Sequence, residues 1–138
     1  MIALDSSFVI AFHNSRDAHH AAAKRVMKRF IEGEWGVGLL PEYVILEVLT
    51  VLAARRGHEI AVRVGELLLR ARELEFVPCS EHFLATLEIF RAEAGIGLSF
   101  ADAAIIAICR RRGAGHVATF DSDFRKVRGI AVVPDSTM

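Results

Sequence analysis

The chain has 138 residues, 53% of them hydrophobic, with 17 Lys and Arg against 17 Asp and Glu and a net charge of zero. That length suits one domain with a substantial core, taken as residues 1–138, and the balanced charge argues against a simple basic nucleic-acid binder. No apolar run is long enough to span a membrane and the first residues carry no export signal, so a cytoplasmic location is expected.

Residues 1–4 (MIAL) read as a short apolar strand, followed by a short helix over 6–13. Residues 17–32 form a charged amphipathic helix that stops at Gly33, and 36–40 (GVGLL) a second strand. Pro41 suits the first turn of a helix that runs to Arg56, and Gly57 separates it from a helix over 58–72. Residues 74–77 are a third strand. Ser80 opens a helix to about Ala94, which Gly95 and Gly97 break. Ser99 starts a helix that ends at Arg112 before Gly113. Residues 116–119 and 130–133 supply the last two strands.

Strands alternate with helices, which predicts right-handed crossovers. The expected fold class is α/β: three layers, α/β/α, around a short, mainly parallel sheet of about five strands. The hydrophobic surplus implies apolar surface that a partner covers. Cys79 and Cys109 lie far apart in apolar segments, fit no zinc or redox spacing, and read as small buried hydrophobes.

In such folds, sites gather beyond the carboxyl ends of the strands. Asp5 ends the first strand and Asp121 follows the fourth. Asp102 stands in the first turn of a helix that feeds the fourth strand, which puts it at the same edge. Each acid also fits a structural role. Asp5 and Asp121 fit helix or turn caps, and Ser99 with Asp102 matches a capping box. Glu47 differs, because its neighbours at one helical turn are Tyr43, Val44, Thr50 and Val51, with no base among them. It reads as a buried carboxylate that needs a partner from elsewhere in the fold. Several carboxylates at one edge repel one another, and a cation is the natural solution. Oxygen-only ligands favour Mg²⁺ or Mn²⁺ over zinc, and carboxylate-held Mg²⁺ points to phosphoryl chemistry.

The segments LDSSFVIAF, VILEVLTVL, LSFADAAIIA and TFDSDF, in that order and spacing, resemble the acidic motifs of PIN-domain ribonucleases, above all the VapC-type toxins of toxin–antitoxin pairs. The likeness runs from Ile2 to about Pro134. It implies a catalytic set of Asp5, Glu47, Asp102 and Asp121, with Asp5, Asp102 and Asp121 as the principal metal ligands. Ser6 and Thr119 match positions that often bear a hydroxyl, and Asp123 one that is often acidic. Ser7 departs from the Asn often found there, which bears on local hydrogen bonding but leaves the acid set intact. The resemblance further implies an RNA substrate cut by metal-activated water, a cognate antitoxin and a homodimer.

Arg125, Lys126 and Arg128 follow Asp121 closely and are the candidates for phosphate contact. Lys24, Arg25, Lys28 and Arg29 form a basic stripe that reads first as a solvated face. His19 and His20 suggest a metal-free alternative through imidazole acid–base chemistry, yet adjacent helical residues point about 100° apart. A phosphorelay receiver needs an acidic pair after the first strand, and a haloacid-dehalogenase-type phosphatase needs D-x-D there. Ser6 and Ser7 fail both. The remaining alternatives are a PIN-fold RNA-processing nuclease outside any toxin pair and a non-catalytic binding module.

Overall fold

The computed structural model describes all of residues 1–138. Five strands form one sheet: β1 (Ile2–Leu4), β2 (Gly38–Pro41), β3 (Leu74–Val77), β4 (His116–Ala118) and β5 (Ala131–Val133). Their order is β3-β2-β1-β4-β5, and every pairing is parallel. Six helices flank the sheet: α1 (Ser6–His13), α2 (His20–Ile31), α3 (Glu42–Arg56), α4 (His58–Arg70), α5 (Phe83–Ala92) and α6 (Phe100–Arg112). A parallel sheet needs crossovers that cover its faces, so its inner strands are apolar apart from His116 at the start of β4. β1 and β2 are buried at every residue, while the edge strand β3 leaves Glu75 and Phe76 exposed.

Helix α6 is the centre of the core. Seven consecutive residues, Ala103 to Cys109, are buried, so the helix is enclosed on all sides rather than along one stripe. Ile105, Ile106 and Ile108 are each at most 1% exposed, and such burial is worth about 2 kcal/mol apiece. A left-handed Gly113 closes the helix, with its amide bonded to the Cys109 carbonyl. Gly38 permits a different close approach: a Cβ there would lie 2.7 Å from the Phe30 ring.

Several expected boundaries move. The helix expected from residue 17 begins at His20, because Asp17 is spent on a turn in which its carboxylate accepts the His19 amide. The second strand begins at Gly38, since Gly36 has φ +74 and turns the chain first. Pro41 ends that strand, and α3 starts one residue later. Helix α4 stops at Arg70 rather than residue 72. The helix expected over 80–94 divides into a 3₁₀ turn, Ser80–His82, and α5, which ends at Ala92.

The order β3-β2-β1-β4-β5 places a topological switch between β1 and β4, where crossovers leave in opposite directions. The ladder continues past both strands. The Asp5 amide donates to the Ala118 carbonyl, and the Thr119 amide to the Val133 carbonyl. Because Leu4 pairs with Ala118, the next register step sets Asp5 beside Thr119.

Candidate active site

Asp5 stands just beyond β1 and is 4% exposed. It occupies the N-cap position of α1 without a side-chain capping bond, and its carboxylate turns to the switch point instead. There its Oδ2 accepts the Thr119 hydroxyl at 2.6 Å and the Ser7 hydroxyl at 2.9 Å. Those hydroxyls are themselves fixed. The Ser7 Oγ accepts the Phe120 amide, and the Thr119 Oγ1 accepts the Asp121 amide. Ser6 lies 3.5 Å from Asp5 Oδ1, but its proton goes to Glu47 Oε2 at 2.6 Å.

Asp102 forms the capping box with Ser99: the Ser99 amide donates to Asp102 Oδ2 at 3.0 Å, and the Asp102 amide donates to Ser99 Oγ at 3.1 Å. Asp121 caps the 3₁₀ turn Ser122–Lys126, with its Oδ1 accepting the Asp123 amide at 2.9 Å. Both structural roles are therefore filled, each using one carboxylate oxygen. Glu47 likewise engages one oxygen, while Asp5 is bonded through Oδ2 and keeps only the longer Ser6 contact on Oδ1.

Like charges act on these groups. Burial, chiefly, pushes the Asp5 carboxyl above its usual pKa against the pull of Thr119 and Ser7, and Glu47 pushes it the same way. Burial also raises Asp102, and the charges of Asp5 and Asp121 add to it. None of the four forms an ion pair with Lys, Arg or His. No three of them converge closely enough to hold one ion as the side chains stand. Each is bonded instead to a nearby hydroxyl or amide. By donor type the set fits a hard divalent cation: oxygen ligands, free lone pairs and no competing basic side chain.

Glu47 corrects the expectation of burial. It is exposed, beside Leu46 and Thr50, because α3 buries the opposite face through Val44, Ile45, Val48 and Leu52. Its apolar neighbours in sequence therefore do not enclose it, and its partner is the Ser6 hydroxyl. Asp123 makes no side-chain bond to the other acids; it pairs with Lys126 at 3.1 Å. Arg125 is exposed and donates to the Pro134 carbonyl while lining a groove with Asp121, and Arg128 is exposed nearby. The two histidines diverge. The His20 ring bonds the Ala11 carbonyl through Nδ1, and His19 stacks on Phe120. Ser7 has a role that its identity in the sequence did not reveal, since it bonds both Asp5 and the Phe120 amide.

A family model for the PIN domain matches residues 2–130. The chain belongs to the PIN-domain family. It is 31% identical to the 23S rRNA-specific endonuclease VapC20 of Mycobacterium tuberculosis (strain CDC 1551 / Oshkosh), across 98% of this chain and 100% of the relative. The crystal structure of M. tuberculosis VapC20, described as a Sarcin-Ricin loop cleaving toxin, superposes with a TM-score of 0.83 at 26% identity, over 94% of this chain and 97% of that one. The same fold occurs in VapBC2 from Rickettsia felis bound to a promoter DNA fragment, with a TM-score of 0.68 at 12% identity, covering 96% and 97% of the two chains. This PIN-domain chain is thus a VapC homologue, and its family makes it an enzyme of the nuclease class. Its five-stranded α/β/α architecture is that of the PIN fold.

Proposed function

We propose that this VapC homologue is a divalent-cation-dependent endoribonuclease, with Mg²⁺ or Mn²⁺ as its ion, acting as the toxin of a toxin–antitoxin pair. The observation that carries the reading is the acid edge: Asp5 feels the charge of Glu47, Asp102 feels those of Asp5 and Asp121, and none of the four has a basic partner. When bound, a divalent cation supplies the charge that brings an attacking water's pKa towards neutrality and offsets charge building on the phosphate.

The chain's own residues position everything else. Asp5, Asp102 and Asp121 would hold the cation, and Glu47 would complete the site. Thr119 and Ser7 fix Asp5 through Oδ2, and Oδ1 meets only the longer Ser6 contact. Ser6 orients Glu47. The Asp123 amide orients Asp121. Arg125, Lys126 and Arg128 contact RNA phosphates beside the cut, and hydrolysis leaves a 5′-phosphate and a 3′-hydroxyl.

The substrate is RNA, and the full-length likeness to VapC20 makes a 23S rRNA stem-loop the first substrate to try. An antitoxin supplies Arg or Lys to the acid edge in place of the cation. A homodimer accounts for the apolar face of α5, where Leu84 is 80% exposed beside Phe83 and Leu87. No helix is long and apolar enough to cross a membrane, in keeping with a cytoplasmic setting.

The test is cleavage of a 23S rRNA stem-loop by purified protein with Mg²⁺, with chelator, and by Asp5→Asn. Cleavage that needs the cation and is lost in the variant supports the reading. Undiminished cleavage by a clean Asp5→Asn preparation overturns the acid assignment, and binding without cleavage favours the non-catalytic module.

A further inference from the structure

Beside the acid edge, three rings run from the core to the surface. Phe8 is fully buried, and its ring centroid lies 6.4 Å from that of Phe120. Phe120 is partly buried against the core. His19 is exposed and lies flat on Phe120, with centroids 4.3 Å apart and planes within 7° of parallel. The stack is tied to the acids, because Phe120 stands between Thr119 and Asp121 and its amide donates to the Ser7 hydroxyl that also holds Asp5.

The His19 ring makes no side-chain hydrogen bond. It stands at the N-cap of α2 without a side-chain capping bond, and the turn is held by its backbone amide on Asp17. His19 lines two grooves. One, of about 250 Å³, carries Ser6, Asp17, Glu47 and Arg55. The other, of about 270 Å³, carries Thr119, Asp121 and Arg125. Either is several times the roughly 30 Å³ share of a water molecule, so each has room for part of a nucleotide chain rather than a single solvent molecule. Each groove thus carries one acid of the edge and one arginine, and a supported aromatic ring borders both. Single-stranded nucleic acid is held by this combination of backbone cations and stacking rings.

We propose that His19, backed by Phe120, is the platform on which a base of the RNA substrate stacks next to the scissile phosphate, with Arg55 and Arg125 meeting the flanking phosphates. The proposal rests on the ribonuclease reading and adds a substrate-positioning residue to it. The ring face acts here, not a proton, so another aromatic ring serves in its place.

The experiment compares wild type, His19→Ala and His19→Phe on a short RNA stem-loop with Mg²⁺, and on the same RNA carrying single abasic nucleotides around the cut. Base–aromatic stacking is lost in His19→Ala, which raises KM by about 5- to 150-fold with a smaller change in kcat. His19→Phe restores most of it. One abasic position costs wild type a similar factor and costs His19→Ala almost nothing. An unchanged KM in His19→Ala overturns the platform, as does a His19→Phe as impaired as His19→Ala, or indifference of wild type to every abasic position. A wild type that does not cleave RNA overturns the ribonuclease reading, and the platform with it. Equal cleavage by wild type and His19→Ala removes the platform alone.

Discussion

Replacing Asp5 with Asn takes one negative charge from the most buried part of the acid edge and keeps an acceptor for Thr119 and Ser7. In wild type, burial outweighs those donors and raises the folded-state pKa. The folded chain therefore binds this proton more tightly than the unfolded chain does. The associated stability is fully present below the unfolded pKa and is lost as pH rises through the folded one. Near neutral pH the ionised Asp5 is a net cost, one the variant does not carry. An incompletely compensated buried polar group costs about 1–3 kcal/mol. Donors at 2.6 and 2.9 Å already offset part of it, so the lower end applies. A gain of about 1 kcal/mol raises Tm by roughly 3–5 °C in a chain of this size. The assay is thermal melting of both proteins in chelator, at neutral pH and towards about pH 4, near the ordinary carboxylate range. The variant should melt higher at neutral pH, and the gap should close on acidification. A variant that melts at or below wild type in chelator, or a gap that widens with acid, refutes the reasoning.

Two further outcomes follow from the structure. Ser99→Ala removes the side-chain half of the α6 capping box and should cost about 1 kcal/mol, read as a lowered Tm; an unchanged Tm would show that the cap contributes nothing. Burial pushes the Cys109 thiol up to about 12, so it should react with an alkylating reagent only at the rate of unfolding, and rapid labelling of the native protein would contradict its enclosure.

The acids were legible because they follow strands. Asp5 and Asp121 sit one and three residues past β1 and β4, where a parallel fold collects its ligands. Asp102 was legible through its helix, and its capping bond does not compete with a site role, because that bond uses only Oδ2. Glu47 was misjudged for a definite reason. Apolar residues at helical spacing imply burial only if they face the core, and on α3 Leu46 faces out with it. Ser7, Phe120 and His19 were out of reach, since their roles come from contacts between α1, the start of α2 and the chain after β4. Sequence periodicity carries no such information. Two of the helix boundaries that moved did so at Asp17 and at the turn after Ser80, where local hydrogen bonding competes with the helix.

The central claim is that these carboxylates gather a divalent cation, and Mn²⁺ titration followed by electron paramagnetic resonance tests it without reference to any substrate. Saturable binding to wild type is expected, weakened by about tenfold or more in Asp5→Asn and in Asp121→Asn. Absence of Mn²⁺ binding to wild type, or equal binding by Asp5→Asn, would contradict the account.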